Sequence, residues 1–215
     1  SMQKVEQRLD EIPWSMEREL PDDLLVFYHP QTLREIFALR HYLLLQEQND
    51  LSDSIDDWIR MVALNRLTGH SSGFFSVYSM PPNQAVSVAS QKRINTRRRQ
   101  SPPIRDVKSI ILKKTRSLLR HCNEKVLQRL RQRSKKACLL TGQSKQLDRI
   151  KSESVSLVVT SPPFLDVVDY ASDNWLRCWF LGIDSKQLEM TVPARLDQWE
   201  EQMTCMLDEL RRVLK

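Results

Sequence analysis

The sequence predicts a helix-rich α/β fold, with an N-terminal helical segment over 1–135 and a partial sheet within 136–215. Three observations carry that prediction. Apolar residues recur at helical spacing along most of the first segment. Two short apolar runs, 137–141 and 154–160, bracket a short polar connection, as neighbouring strands around a crossover do. The composition, 40% hydrophobic and 28% charged, is that of a globular chain, and no apolar run reaches the roughly 18–20 residues of a membrane span.

The elements follow in order. Residues 3–12 form a short helix cut off by Pro13, and 13–30 are an irregular lead-in that buries Leu24–Tyr28. The stretch 32–48 is a helix: Thr32 and Glu35 fit a capping box, and Leu33, Ile36, Phe37, Leu43 and Leu44 recur on one side. A second helix starts at Ser54 and Asp57, turns Trp58, Met61 and Val62 to one face, and ends at Gly69. Residues 69–104 read as a long loop with two Pro-Pro pairs and an Arg run; ordinary burial is favoured over base stacking for Phe74, Phe75 and Tyr78. One long helix is expected over 105–136, striped by Val107, Ile110, Ile111, Leu118, Val126, Leu127 and Leu130. After the two strands comes a helix from Tyr170 to Leu181, with Trp175, Trp179 and Phe180 as core. An amphipathic helix through Leu196, Trp199, Met203, Met206, Leu207 and Leu210 completes the chain.

The four cysteines are far apart and no C-x-x-C pair exists, which argues against zinc or any other metal site and for free, mostly core, thiols. No signal-like segment opens the chain, so a cytoplasmic protein is expected. The net charge of +6 hides an asymmetry. Residues 92–136 hold 17 Lys and Arg against Asp106 and Glu124, a net +15, which leaves −9 for the rest. A localised basic block predicts a polyanion contact. Lys92, Arg93, Arg97, Arg98 and Arg99 are its candidate phosphate contacts on double-stranded DNA.

The second apolar run ends in Ser161-Pro162-Pro163-Phe164. Two prolines lock φ and offer carbonyl acceptors without N–H donors. Ser161 adds an adjustable hydroxyl and Phe164 a flat apolar face, a combination suited to holding an exocyclic –NH2 and the ring that bears it. These residues, with "VVT" before them and "L-x-T-G-x-S" upstream, resemble motif IV of the amino-methylating DNA methyltransferases over about 45 residues. The resemblance implies a partial Rossmann-like sheet of an S-adenosylmethionine-dependent methyltransferase. It also implies a flipped base whose amine is gripped by Ser161 and Pro162 and whose ring stacks on Phe164, in a catalytic turn that includes Pro163. By the serine form of the motif, cytosine N4 is favoured over adenine N6. Asp166 and Tyr170 would line the pocket, and Asp169 either lines it or caps the next helix.

Gly142 and Gln143 stand where the family often places a cofactor-side acid, in a G-D/N setting; Gln143 departs from that acid but can still hydrogen-bond an adenine amine. The chain departs from the family in having no G-x-G among Gly69, Gly73, Gly142 and Gly182, so it lacks a recognisable cofactor loop. The expectation is therefore part of a restriction-modification or defence methyltransferase whose cofactor-binding portion lies upstream or on a partner chain. Pairing with a second copy is possible through unpaired sheet edges. The alternative is a non-catalytic DNA-binding or assembly module that retains the turn.

Overall fold

The computed structural model describes residues 1–79, 86–162, 165, 170–187, 193 and 195–215. Its helices are α1 (Met2–Asp10), α2 (Asp22–Leu25), α3 (Pro30–Gln48), α4 (Ser54–Leu64), α5 (Val88–Arg98), α6 (Val107–Leu119), α7 (Glu124–Ser134), α8 (Tyr170–Leu181) and α9 (Leu196–Val213), with a 3-10 turn at Ser185–Gln187. The chain divides into two compact units, 1–123 with 171–188, and 124–170 with 189–215. Among the described residues no helix is long and apolar enough to cross a membrane.

The first unit is a helical assembly around one core. Leu9 of α1, Leu33, Ile36 and Leu39 of α3, Ile59 and Val62 of α4, Val107 and Ile111 of α6, and Leu176 and Phe180 of α8 are all buried in it. Each such side chain contributes about 1.5–3 kcal/mol by leaving water. Phe180 is buried in that core, and Trp175 and Trp179 are half-buried against it, in line with their spacing. Trp179 meets Phe37 edge-on at 5.2 Å and Trp175 lies 6.0 Å from Phe27. Gly182, at φ +73°, ends α8 in the left-handed conformation, and Ile183 N–H donates back to Cys178 C=O at 2.9 Å.

Helices α1 and α3 start one and two residues before the expected positions, and α6 starts two residues after its expected one. Helix α4 is capped by Asp53, whose carboxylate accepts from Ile55 N–H at 2.7 Å, while Asp56 returns the bond from Asp53 N–H at 3.1 Å. The buried Asp56 is also held by Arg8 of α1, Nη1 to Oδ2 at 2.6 Å. Helix α4 stops at Leu64, so Gly69 does not terminate it. Helix α3 begins at Pro30 behind His29, whose Nδ1 accepts from Gln31 N–H. Thr32 and Glu35, expected as its capping box, instead bond the chain entering α6. Thr32 Oγ1 accepts from Arg105 N–H at 2.7 Å and donates to Arg105 C=O at 2.9 Å, and Glu35 accepts from Val107 N–H at 2.9 Å.

The expected loop 69–104 contains a helix, α5, whose one buried residue is Gln91. Amide bonds replace apolar packing there: Asn95 donates to Val26 C=O at 2.8 Å, and Gln91 and Gln100 each donate to Tyr78 C=O at 3.0 Å. The long helix expected over 105–136 is two helices: the buried stripe stops in α6, and α7 has no fully buried residue, Val126 and Leu127 being half-buried. Of the four cysteines, all free thiols, only Cys178 is buried; Cys138 and Cys205 are exposed.

The predicted sheet is absent among the described residues, so the fold is helical and not α/β with a partial methyltransferase sheet. The run 137–141 and the run 154–160 form no ladder with each other, and Val155 makes a single isolated bridge with Leu214. Leu139, Leu157 and Val159 are 92%, 75% and 87% exposed. An apolar run becomes a buried strand only where neighbouring strands take its N–H and C=O groups and a second layer covers its face. Neither is supplied to these two runs. In the second unit Glu153, Ser154 and Val155 N–H groups instead bond Arg212 and Val213 C=O at 2.9–3.0 Å, closing the C-terminal end of α9.

Candidate functional site

The predicted phosphate contacts all lie on or just beyond α5. Lys92, Arg93, Arg97, Arg98 and Arg99 are exposed. Arg98 lies over the Tyr78 ring at 3.7 Å, and Arg99 closes the helix with φ 50°, a conformation that favours glycine. Of the 17 Lys and Arg in 92–136, only Lys108, with Asp10, and Arg131, with Glu124, form ion pairs among the described residues.

A second group of cations in the same unit was not singled out from the sequence. Arg66 and Arg105 line a cleft of about 500 Å³ with Lys113 and Lys114 of α6 and Asp106 at its N-terminus. Arg66 follows α4; its guanidinium rests on the Phe74 ring at 4.1 Å, and its carbonyl accepts from Phe75 N–H at 2.9 Å. Burial pulls its pKa down from the ordinary value, although a guanidinium stays charged. Gly69 also packs against Phe74: a Cβ there would come within 2.5 Å of three ring atoms. Phe74 and Phe75 are thus buried, as expected for core residues. Arg105 is fixed through its backbone by Thr32. The signal that could have found this group is weak: Arg66 and Arg105 stand 39 positions apart, in unrelated local contexts.

The second unit holds the methyltransferase-like residues. Ser161 and Pro162 are exposed at the end of the extended run, while Pro163, Phe164, Asp166 and Asp169 lie outside the described residues. Gly142 and Gln143 line a separate cleft of about 430 Å³ with Gln146, Leu147 and Asp148. Its floor is clamped to α9. Glu209 accepts from Leu147 N–H at 2.9 Å, and Arg212 donates to the carbonyls of Leu147 and Ile150 and pairs with Glu209 at 2.8 Å. Arg212 first, and Leu147 N–H second, hold the Glu209 carboxyl down to about 2.

The Gln143 amide and the Asp148 carboxylate can meet an adenine amine and a ribose hydroxyl. A methionine tail needs a backbone that approaches it closely, and the described residues lining this cleft include one glycine, beside which a Cβ would meet nothing within 4 Å. These residues do not fit the whole of S-adenosylmethionine. Among the described residues no cluster of three or more His, Cys, Asp or Glu could hold a metal ion. No family model matches the chain, and neither a curated protein nor a solved structure matches it.

Proposed function

We propose that this chain is the DNA-engaging, base-accepting part of an amino-methylating DNA methyltransferase, cytosine N4 favoured over adenine N6. The observation that carries the DNA reading is the basic block whose lysines and arginines are, with two exceptions, free of carboxylates. Charges unspent within the fold are available to phosphates, and their release of condensed counterions drives association. The base-accepting role rests on the resemblance of Ser161-Pro162-Pro163-Phe164 and on what the turn offers an amine. S-adenosylmethionine would supply the methyl group from a portion upstream or on a partner chain, because Gly142, Gln143 and their neighbours do not fit the whole of it. That same incomplete fit favours a second reading, a non-catalytic DNA-binding module that has kept the turn.

Fluorescence anisotropy with a labelled 20-bp duplex tests the shared part. Binding is expected to weaken steeply from 50 to 200 mM salt, and absent or salt-insensitive binding would remove DNA as the partner. Transfer of a labelled methyl group to duplex DNA by the full gene product separates the two readings. Product carrying N4-methylcytosine supports the enzyme, and a DNA-binding gene product without transfer supports the module. Micromolar binding of S-adenosylmethionine to these 215 residues alone would refute the placing of the cofactor elsewhere.

A further inference from the structure

We propose that the cleft between Arg66 and α6 is a phosphate site that takes a backbone phosphate of nucleic acid. The inference rests on the DNA reading and relocates its central contact from the Arg97–Arg99 run to a built cleft.

Two buried donors point to a ligand. The Nε of Arg66 and the Nε of Arg105 are both shielded from water and have no hydrogen-bond partner. Buried polar groups in folded proteins are nearly always satisfied, so two guanidinium side chains that line one cleft, each with an unpaired Nε and neither paired with a carboxylate, are groups that an acceptor entering the cleft would satisfy. The acceptor must be anionic, since Lys113 and Lys114 add two further cations to the same walls. The one carboxylate there is already committed: Asp106 Oδ1 accepts from Ser109 N–H at 2.8 Å and Oδ2 from Ser109 Oγ at 2.7 Å, capping α6. No ion pair among the described residues involves Arg66, Arg105, Lys113 or Lys114.

Phosphate suits this arrangement better than an isolated carboxylate. Two planar guanidinium forks can each engage two oxygens of one phosphate, with the lysines acting as point charges. Ile104, 58% exposed, offers an apolar surface beside the cations, which a sugar can cover. Arg105, Lys113 and Lys114 of the cleft belong to the basic block 92–136, whose other cations are mostly unpaired. The site is also held in place before any ligand arrives: Thr32 fixes Arg105, Glu35 fixes the first turn of α6, and Phe74 supports Arg66. Such fixing lowers the ordering cost of binding.

The test follows the arginine side-chain Nε–H resonances of the 15N-labelled chain during titration with a 12-bp duplex, with cytidine monophosphate and with inorganic phosphate. The duplex is expected to shift the Arg66 and Arg105 signals and saturate them. Lys113→Gln/Lys114→Gln, which removes two ammonium groups that form no ion pair among the described residues, is expected to weaken duplex binding on the order of tenfold and to lower the slope of log K against log salt by about 1. Lys113→Arg/Lys114→Arg should bind as the parent does.

Salt-dependent duplex binding with both Nε signals unmoved, and with the double Gln variant binding at full affinity, overturns the cleft and leaves the DNA reading standing. Failure of the duplex to bind, with both signals saturated by the mononucleotide, keeps the phosphate site and assigns it to a free nucleotide. Unmoved signals with all three ligands refute it.

Discussion

Gly69→Ala tests the packing that builds the cleft. The backbone at Gly69 is not in the left-handed region, so alanine is acceptable conformationally and any cost comes from contact. The new methyl would sit 2.5 Å from Cδ1, Cδ2 and Cε1 of Phe74. Carbon atoms rest at about 3.5–4 Å, so the ring must retreat by roughly 1 Å. It has little room, because Phe74 is 7% exposed and the Arg66 guanidinium lies 4.1 Å from the ring centroid. Overpacking of this kind costs about 1–3 kcal/mol, and loosening the cation–π contact adds about 0.5–1 kcal/mol. The stiffer unfolded chain returns about 0.4–1 kcal/mol, which leaves a net loss of about 1–3 kcal/mol. Urea unfolding followed by tryptophan fluorescence reads it, since Trp14, Trp58, Trp175 and Trp179 all lie in the first unit. The midpoint should fall by about 1 M for a 2 kcal/mol loss. In a Phe74→Val background, which lacks the δ and ε carbons, the same Gly69→Ala change should cost little. An equal cost in both backgrounds, or no cost in the parent, would refute the proposed contact.

Three further outcomes follow from other contacts. Arg8→Met leaves the buried Asp56 carboxylate without its cation and should cost about 3–5 kcal/mol in the same unfolding assay. Asn95→Ala removes the bond to Val26 C=O and an acceptor shared by Gln91 and Gln100, so α5 should lose amide protection in hydrogen exchange while α3 and α4 keep theirs. Acid should destabilise the protein through Asp53 and Glu209. At Asp53, desolvation pushes the carboxyl up, but the bonds from Ile55 N–H, Arg8 and Asp56 N–H outweigh it and hold it below the ordinary value; Glu209 is held at about 2. A carboxyl lowered by folding stabilises fully above its unfolded value, about 4, and loses that stabilisation as pH falls through the folded one. Thermal melting should therefore be level through pH 5–7 for these two groups and decline from about 4 downward.

The sequence made the apolar contacts legible and hid the polar ones. Trp175, Trp179 and Phe180 read as core from spacing alone, because an amphipathic helix advertises its buried face. Helix α5 was invisible for the converse reason: its buried residue is a glutamine, and amide bonds to Val26 and Tyr78 hold it where no hydrophobic period exists. Thr32 and Glu35 satisfied a local capping pattern, yet their bonds are spent on Arg105 and Val107, over 70 positions away. Local pattern reading assigns a side chain to its neighbours, and tertiary structure is free to give it a better partner. The apolar runs 137–141 and 154–160 failed as strands in a related way. Val, Ile and Leu report a preference for burial, but pairing depends on what other segments present, and here only Val155 finds a bridge.

The placement of Ser161 bears directly on how the proposed chemistry is divided. Val155 is anchored, through Val213 C=O and Lys215 N–H, to the end of α9, and Arg212 fixes the turn before it. From 156 to 162 no backbone hydrogen bond ties the chain among the described residues. The prolines limit φ locally, but holding an amine for attack demands positioning to about 0.5 Å. Among the described residues no backbone hydrogen bond of this segment sets that position; under the proposed function it would be set as the base arrives, at a cost drawn from binding energy. Affinity would then come from elsewhere, and the unpaired cations of the basic block 92–136 are a source. Ser161→Ala is accordingly expected to leave duplex affinity and its salt dependence unchanged while removing methyl transfer by the full gene product. A loss of duplex affinity of tenfold or more in this variant would show that the turn itself holds the DNA, and the division between binding and chemistry would be wrong.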